Sequence, residues 1–404
     1  MRPSIKSNHH LAALALIGVL SASACGDDNN NAAANNTTSN NTTSNNTASN
    51  NTASNNTMSN NTTSNNTTSN NTASNNTTSN NTTTNNTIQE FAACEGEFTL
   101  EEPDPNRPWT PNAITLVSEE LSPGVFVVYD SNAEMYGPTG FPLATSGGFV
   151  VGDDGVLLVE TMINRQLFCQ FIDLVREQTD LPVLYAVNTS YHGDHSYGNM
   201  FLPDEVQVVQ HQGTVDFITN PDSFAGDVAF MEANFGADQG LDEIVAVEAD
   251  IVVDDSGWSV DLGNRTVEAR YLGFGQTEGD LFVYVPDADV VWVGNPVVAR
   301  EPAIPWLLDG HAAEVHDTLT AVKDAFPTAR IVPGHDSHQP VEGVQFSVDY
   351  LDTLLVEVQS AVDAGMTAEE TAGAVTMEDF QGYALWDWVH SGLNVPMTYG
   401  ELSQ

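Results

Sequence analysis

Basic side chains are scarce in this chain of 404 residues, which contains ten Lys and Arg against 55 Asp and Glu, a net charge of −45. Proteins that bind nucleic acids need a basic surface to neutralise phosphates, and anionic lipid surfaces also attract basic segments. The composition therefore argues against nucleic acid as a partner and against direct adsorption to an anionic membrane. The acidic excess itself indicates solubility or adaptation to a salty medium.

Long apolar runs are scarce as well. Leu11–Leu20 contains ten residues, too few to span a bilayer as a helix. It follows Arg2 and Lys6, as the apolar region of an export signal does. The next residues, Ala22–Cys25, resemble the bacterial lipobox, in which the cysteine is lipidated. We expect an exported protein anchored in the cell envelope, at the periplasm or cell surface, through lipid on Cys25. An ordinary cleaved signal peptide that leaves a free thiol is the alternative.

Charge and aromatic rings are both missing from residues 29–87, which consist almost wholly of Asn, Thr, Ser and Ala. Such a stretch cannot bury enough apolar surface to offset the entropy lost on ordering. We therefore predict a signal peptide at 1–25, a disordered low-complexity linker at 26–88 and one domain at 89–404. Within that domain, we expect the core at about 113–340 and C-terminal helices at about 341–404.

Cysteines number only three. Besides Cys25, there are Cys94 and Cys169, and an exported protein meets an oxidising environment in which disulfides form. The sequence leaves two alternatives open, a disulfide between Cys94 and Cys169 or two unpaired buried thiols.

Apolar periodicity after position 110 predicts two halves, each made of consecutive strands followed by helices. This order predicts an α/β fold with four layers, helix, sheet, sheet and helix. The predicted strands are Ala113–Val117, Val125–Tyr129, Gly148–Gly152, Val156–Glu160, Val183–Asn188, Val206–Gln210, Ile244–Val252, Ser259–Asp261, Thr266–Leu272, Leu281–Val285, Val290–Val293 and Arg330–Val332. The predicted helices are Ile163–Glu177, Thr214–Ile218, Ala312–Ala325, Phe346–Ala364 and Ala368–Ala374.

Metal-ligand chemistry is concentrated after two of these strands. His192, Asp194 and His195 follow the buried strand Val183–Asn188, and His335 follows the strand that ends at Val332. Loops held by rigid strands can converge on one ion, and imidazole with carboxylate suits Zn²⁺. A lone histidine is more often a surface or capping residue, but this combination predicts a metal site.

These motifs resemble those of the metallo-β-lactamase superfamily, whose αββα sandwich has the same order of elements. The family signature His-x-His-x-Asp-His corresponds here to Ser190–His195. Its Gly-His-Thr-x-Gly-Asp turn, its Gly-Asp and its Pro-Gly-His correspond to Gly275–Asp280, Gly294–Asn295 and Pro333–His335. The resemblance implies the αββα fold from about residue 145 to 335 and a metal-dependent hydrolase.

Three ligand positions implied by the resemblance have changed, to Ser190, Gln276 and Asn295. In dinuclear members, one metal binds the first two histidines of the signature and the histidine of the Gly-His-Thr turn, and of these only His192 remains. The other metal binds three residues that are all retained here, Asp194, His195 and His335. The resemblance therefore implies one Zn²⁺, or another divalent ion, with water as the fourth ligand.

Roles for the neighbouring residues follow from this ligand set. We expect Asp194 and His192 to act on the attacking water, with His192 as an orienting group, a base or an additional ligand. We expect Asp280 to support the ligands, with turn capping as the alternative. We expect Trp306 to line the substrate pocket, with an exposed aromatic residue as the alternative.

Two functions remain open from the sequence. The first is an exported, membrane-tethered hydrolase with one zinc ion that acts on a small ester, lactone, amide or thioester. The second is a catalytically inactive binding protein on the same scaffold. The complete set of Asp194, His195 and His335 favours the first, because random decay has no reason to spare one whole metal site.

Overall fold

A computed structural model describes residues 88–107, 109–140 and 143–404. The expected signal peptide with Cys25 and the expected linker up to residue 87 lie outside these residues. Within them, the strands form one sheet of seven strands and one of six. None of the described helices is both long enough and apolar enough to cross a membrane.

The first sheet has the order β1 to β7, so each strand pairs with its neighbours in sequence. The pairs from β1 to β4 are antiparallel, and those from β4 to β7 are parallel. Its strands are β1 Leu116–Ser122, β2 Val125–Asp130, β3 Gly147–Val151, β4 Val156–Val159, β5 Val183–Val187, β6 Gln207–His211 and β7 Ile251–Val253.

The second sheet has the order β13-β12-β11-β10-β9-β8. Only its β11–β12 pair is parallel. Its strands are β8 Trp258–Asp261, β9 Thr266–Arg270, β10 Phe282–Val285, β11 Val290–Gly294, β12 Arg330–Pro333 and β13 Gln339–Pro340.

Helices cover the outer faces of the sheets and include a π-helix, Asp387–Asn394. The α-helices are α1 Ala133–Tyr136, α2 Arg165–Gln178, α3 Gly193–Ser196, α4 Gln212–Ile218, α5 Pro221–Phe235, α6 Ala312–Ala325, α7 Val344–Asp363, α8 Ala368–Ala374 and α9 Val395–Leu402. Short 3₁₀ helices are Ala92–Cys94, Pro111–Ala113, Gly137–Thr139, Tyr197–Phe201, Ala237–Gln239, Val341–Gly343 and Glu378–Phe380.

Three apolar clusters separate four layers and confirm the predicted αββα sandwich. The central cluster lies between the sheets and includes Leu157 from the first sheet and Trp292 from the second. The indole of Trp292 donates to the carbonyl of Gly147 over 2.9 Å and so joins the two sheets. One outer cluster packs α2 and α5 on the first sheet, and the other packs α6, α7 and the C-terminal helices on the second sheet.

The parallel strand pairs explain why the chemical residues meet. In the first sheet, Glu160 follows β4 and Asn188 follows β5. In the second sheet, Asn295 follows β11 and His335 follows β12. The carboxyl ends of parallel strands lie at one edge of a sheet. Each half of the sandwich therefore delivers polar side chains to a single rim.

A disulfide joins Cys94 to Cys169, with an S–S distance of 2.06 Å. It links the 3₁₀ helix Ala92–Cys94, at the start of the domain, to α2. Of the two alternatives that the sequence left open, the structure therefore contains the disulfide.

The strand predicted at Ile244–Val252 is wrong over most of its length, because β7 covers only Ile251–Val253. The carboxylate of Asp250 accepts the backbone N–H of Val208 over 2.9 Å. The Asp250 side chain thus occupies the backbone N–H of Val208, with which a β7 that began earlier in the chain would have to pair. At the start of the domain, Ala113 lies in a 3₁₀ helix, and the strand predicted from that residue begins at Leu116 instead.

Helix α5 was missed by sequence reasoning. It buries only Asp227 and Met231, so its apolar residues do not form the stripe that reveals a surface helix. The available signal was Asn220 followed by Pro221, a capping residue before a proline in the first turn. The Asn220 side chain accepts the backbone N–H groups of Asp222 and Ser223.

Candidate metal centre

Asp194 and His195 lie on the short helix α3, directly beyond the end of β5. The carbonyl of His195 accepts the side-chain amide of Asn188 over 3.0 Å and the backbone N–H of Thr161 over 2.9 Å. Gly193 allows this tight turn, since a Cβ there would lie 2.1 Å from the ring of Tyr197. The signature segment is therefore fixed by backbone contacts on both sides.

The structure brings Asp194, His195 and His335 together. Their candidate ligand atoms all lie within 4.8 Å of one another, and all three side chains are buried. Oδ2 of Asp194 lies 3.4 Å from Nε2 of His335 and 3.6 Å from Nε2 of His195. Within the described part of the chain, this is the one group of three or more His, Cys, Asp or Glu residues that has such spacing.

Both histidines have their Nδ1 atoms close to oxygen atoms. Nδ1 of His195 lies 3.0 Å from Oε1 of Glu160, and Nδ1 of His335 lies 2.7 Å from the carbonyl oxygen of Leu143. Histidines that bind metals typically donate the second ring nitrogen to such an oxygen, which leaves the first as a lone pair for the ion. Both ring nitrogens of His195 are buried and have no hydrogen-bond partner of good geometry among the described residues, so the approach of Nδ1 to Glu160 is an ion-pair contact. These residues fit a divalent cation.

Glu160 is a residue of the site that sequence reasoning missed. It follows β4, has a φ of 69° and is 1% exposed. Besides facing His195, its carboxylate accepts the backbone N–H of Thr189 at 3.2 Å, and the hydroxyl of Thr189 as well. An acidic residue after a buried strand that pairs in parallel with β5 was the signal that could have revealed it.

A segment before β3 connects the ligands of the two halves. Thr145 donates its hydroxyl to Oδ2 of Asp194 over 2.6 Å, and the backbone N–H of Ser146 donates to the carbonyl of Gly334 over 2.7 Å. Together with the contact from the carbonyl of Leu143 to His335, these bonds define the bridging segment 143–146. It links the Asp194 side of the centre to the His335 side.

The position of His335 is fixed further by its neighbours. Its backbone N–H donates to the carbonyl of Val298 over 2.7 Å. The next residue, Asp336, binds the guanidinium group of Arg300 in a bidentate manner, at 2.6 and 2.7 Å. The turn after β12 is therefore held by both backbone and charged contacts.

The electrostatics of the centre favour a cation. Burial acts against ionisation of Asp194, but the imidazoles of His195 and His335 and the Thr145 hydroxyl lower its pKa below the ordinary value. Burial also acts against protonation of His195, yet Asp194 and Glu160 raise its pKa to about 9. For His335, burial outweighs Asp194 and lowers the pKa. In the metal-free protein, a proton on His195 thus partly balances the carboxylates.

His192 lies beside this group without belonging to it. Its Nδ1 lies 3.7 Å from Oδ1 of Asp227, on α5. The hydroxyl of Tyr197 donates to the other oxygen of that carboxylate over 2.8 Å. Nε2 of His192 is buried, and no residue that the structure describes forms a hydrogen bond with it. Asp227 and Tyr197 are two further residues that the sequence did not reveal, since both depend on the missed helix.

The three altered ligand positions are filled by neutral groups. The side-chain amide of Asn295 donates to Oε1 of Gln276 over 2.9 Å, while Oδ1 of Asn295 is buried and has no partner. Ser190 is buried, and its hydroxyl oxygen lies 3.4 Å from the backbone nitrogen of His192. These positions provide neither carboxylate nor imidazole for a second ion.

Asp280 is buried within the turn that carries Gln276. Its carboxylate accepts the backbone N–H groups of Gln276 and Thr277 at 2.7 and 3.2 Å. Burial raises its pKa to about 6, against those hydrogen bonds. These contacts are those of a turn-capping residue, which was the alternative that the sequence left open.

Trp306 packs toward the C-terminal helices. Its indole N–H donates to the hydroxyl of Tyr383 over 2.8 Å, and its ring contacts that of Trp388 with centroids 4.9 Å apart. It does not line the cavity whose wall includes Tyr191. The prediction that Trp306 faces the substrate therefore has no support in its contacts.

A cavity of about 270 Å³ lies near His192, although none of the three proposed ligands lines it. Tyr191 forms part of its wall, and the ring centroids of Tyr191 and His192 are 4.6 Å apart. The remaining lining residues come from α4, α5 and the loops after β9 and β11: Gly213, Asp216, Phe217, Ser223, Phe274, Glu278, Leu308, Asp309 and His311.

Comparisons with known proteins agree with this fold. The sequence profile of the metallo-beta-lactamase superfamily matches residues 140–335. The stereoselective inverting sec-alkylsulfatase Pisa1 from Pseudomonas sp. is similar in structure, with a TM-score of 0.52 and 16% identity, over 72% of this chain and 50% of that protein. A metallo-beta-lactamase from Pontibacter korlensis has a TM-score of 0.45 and 15% identity, over 59% of this chain and 99% of that protein. At these identities, the likeness concerns the fold alone.

Proposed function

Because residues 140–335 carry the sequence pattern of the metallo-beta-lactamase superfamily in a domain with its fold, we propose that this protein is a hydrolase of that superfamily with one Zn²⁺. Its substrate is a small molecule with an ester, lactone, amide or thioester bond. Nucleic acid is not a substrate, since the domain is strongly acidic. Export and a lipid anchor on Cys25 belong to the same proposal and rest on the N-terminal sequence.

One observation carries the proposal, the convergence of Asp194, His195 and His335. Three ligands with room for water form the usual layout of a catalytic zinc site. The contacts of Nδ1 in His195 and His335 hold both Nε2 atoms in position for an ion.

The residues around the ligands supply a proton acceptor and hold the ligands in position. When bound, a zinc ion supplies a nucleophile by lowering the pKa of coordinated water to about 7. Nε2 of His192 has no hydrogen-bond partner among the described residues and can accept a proton as the attack proceeds. Thr145, through its bond to Asp194, and Glu160, through its contact with His195, keep the ligands in place.

The test combines metal analysis with turnover of chromogenic esters, lactones and a β-lactam, with and without chelator. We expect one metal ion per chain and turnover that is lost with chelator and restored by Zn²⁺. His335→Ala should abolish both, whereas His316→Ala, at a partly exposed site on α6, should leave both unchanged. Two tightly bound ions in the unaltered protein would contradict the single-metal proposal.

The three altered positions support a second candidate function, that of a binding protein without catalytic activity. The Asn295–Gln276 amide pair occupies positions where active dinuclear relatives are expected to carry ligands. This alternative predicts no chelator-sensitive turnover of any substrate in the panel. It also predicts that His335→Ala changes no activity, because there is none to lose.

A further inference from the structure

The cavity beside His192 has two aromatic walls. The rings of Tyr191 and Phe217 are stacked, with centroids 3.5 Å apart and planes 9° apart. Phe274 forms part of another wall, next to His311, with ring centroids 4.3 Å apart. Aromatic faces attract cations within about 6 Å through their negative potential.

Carboxylates complete the lining between these rings. Asp309 accepts the hydroxyl of Tyr191 over 2.8 Å, which adds negative charge at the edge of the stacked pair. Glu278 is exposed in the turn between Gln276 and Asp280, two residues after the altered ligand position Gln276. Asp216 is exposed on α4.

No Lys or Arg among the described residues lines this cavity, and its one histidine, His311, has Nδ1 against a carboxylate oxygen of Glu314. The eight Lys and Arg that belong to the described residues all have contacts elsewhere, and Arg300 is bound to Asp336, the residue after the proposed ligand His335. The partners of the others are Asp238 for Arg107, Ala93 for Arg165, Leu181 for Arg176, Asp287 for Arg265, Glu268 for Arg270, Gln345 for Lys323 and Leu121 for Arg330.

From these observations, and resting on the proposed hydrolase function, we propose that the cavity selects substrates with a positively charged group. The group is an ammonium, quaternary or protonated, a few bonds away from the ester or amide that is hydrolysed. The rings of Tyr191, Phe217 and Phe274 surround it while Asp309 and Glu278 supply opposite charge. Anionic substrates are disfavoured, because the described lining has no Lys or Arg to offset the repulsion by these carboxylates and its one histidine, His311, is paired with Glu314.

The direct test uses three aryl acetates that differ in one substituent. The 3-(2-trimethylammonioethyl) and 3-(3,3-dimethylbutyl) compounds are nearly identical in shape and in the reactivity of the ester but differ in charge, and the 3-(2-carboxyethyl) compound carries the opposite charge. We expect kcat/KM for the cation to exceed that for the neutral compound by roughly tenfold, and the anion to be the poorest substrate. The preference should shrink as salt is added, since screening weakens it.

Variants locate the preference in the cavity. Glu278→Gln and Asp309→Asn keep the shape of the side chain and remove its charge, so each should lower the cation-to-neutral ratio of kcat/KM. The matched control is Glu342→Gln, which removes one exposed charge just after β13. Pro340 in β13 pairs with Arg330, the first residue of β12, so Glu342 lies near the end of β12 that is away from His335. The control should leave the ratio unchanged. An equal drop in all three variants would overturn the proposal, because general surface charge would then explain the preference.

Binding of phenyltrimethylammonium to the full chain, measured by calorimetry against benzoate, separates this inference from the hydrolase proposal. Saturable binding of the cation that weakens in Glu278→Gln supports the cavity even where no substrate is hydrolysed. Chelator-sensitive turnover with no preference for the cation, and no binding of phenyltrimethylammonium, overturns the inference and leaves the hydrolase in place.

Discussion

Asn295 donates a hydrogen bond from its side-chain amide to the amide oxygen of Gln276 over 2.9 Å. The two groups form this bond at positions where dinuclear relatives are expected to place metal ligands, and Ser190, at the third such position, is also buried. Neutral amides and a hydroxyl bind Zn²⁺ weakly and do not supply the charge that holds two dications close together.

Restoring the three altered ligands should restore the second ion. We expect the variant with Ser190→His, Gln276→His and Asn295→Asp to bind two metal ions per chain, against one in the unaltered protein. Mass-spectrometric metal analysis after dialysis measures the ratio, and circular dichroism confirms that the variant is folded. If the unaltered protein already holds two ions, the altered positions do not limit the stoichiometry.

Glu160 should control metal affinity without touching the ion. Glu160→Ala removes the oxygen that faces Nδ1 of His195 at 3.0 Å, and the loss of such a partner typically weakens metal binding about 10- to 100-fold. Glu160→Gln keeps an acceptor and should recover most of the affinity. Competition with a chromogenic chelator provides the measurement, with Glu342→Ala as a control. Equal affinity in Glu160→Ala and the unaltered protein would rule out this role.

Asp227 should affect turnover more than metal content. Asp227→Ala frees the imidazole of His192, whose Nδ1 lies 3.7 Å from that carboxylate, and a misplaced proton acceptor costs about 100-fold or more in rate. We expect kcat to fall while the ion remains bound, since His192 is not part of the three-residue group. Tyr197→Phe should give a smaller loss of the same kind. Asp222→Ala, at an exposed position on the same helix, serves as the control, and a parallel loss of metal would assign His192 to the ligands instead.

Metal binding should depend on pH through His195. Its pKa of about 9 in the metal-free protein lies above the ordinary value of 6.5, so an ion must displace a proton at neutral pH. Affinity should therefore rise about tenfold per pH unit between the two values and level off above 9. Calorimetry in buffers of different ionisation enthalpy should detect about one proton released per ion at pH 7.5.

The raised pKa of His195 also makes the stability of the metal-free protein depend on pH. This stability falls as the pH rises, whereas metal affinity increases. A raised histidine pKa stabilises the metal-free fold fully below pH 6.5, and this contribution is lost as the pH rises through 9. The melting temperature of the metal-free protein should fall over this range. A metal-free protein equally stable at pH 6.5 and pH 9 would show that His195 is not protonated there.

The disulfide between Cys94 and Cys169 should contribute substantially to stability. It closes a segment with a sequence separation of 75, and loss of such a link costs about 4 kcal/mol when chain entropy dominates. We expect the double variant Cys94→Ala/Cys169→Ala to unfold at a clearly lower denaturant concentration. Reduction of the unaltered protein should give a similar decrease, and an unchanged midpoint would show that the segment before β1 adds little to the fold.

The sequence predicted the sandwich because its strands are strongly apolar and its helices α2, α6 and α7 are periodic. It predicted that Asp194, His195 and His335 converge because each lies in a motif that follows the end of a predicted strand. It could not predict how the rings are oriented, since the oxygen that fixes His335 belongs to the backbone of Leu143, which no motif marks.

Other residues escaped for different reasons. Asp227 lies on a helix without an apolar stripe. Glu160 is one of 55 acidic residues, so its residue type alone did not distinguish it. For Trp306, an aromatic residue in a loop near a site was expected to meet substrate, and its partly buried ring packs against Trp388 and donates to Tyr383, so that expectation stays a prediction.

The bridging segment 143–146 has a consequence for the order of assembly. It contacts Asp194 in the first half and Gly334 and His335 in the second, whose positions lie more than a hundred residues apart along the chain. A pocket built in this way exists only after both sheets have docked, so a bound ion acts on the finished fold and not on its early stages. Added zinc should accordingly slow unfolding while leaving the refolding rate nearly unchanged, as interactions that form after the transition state do.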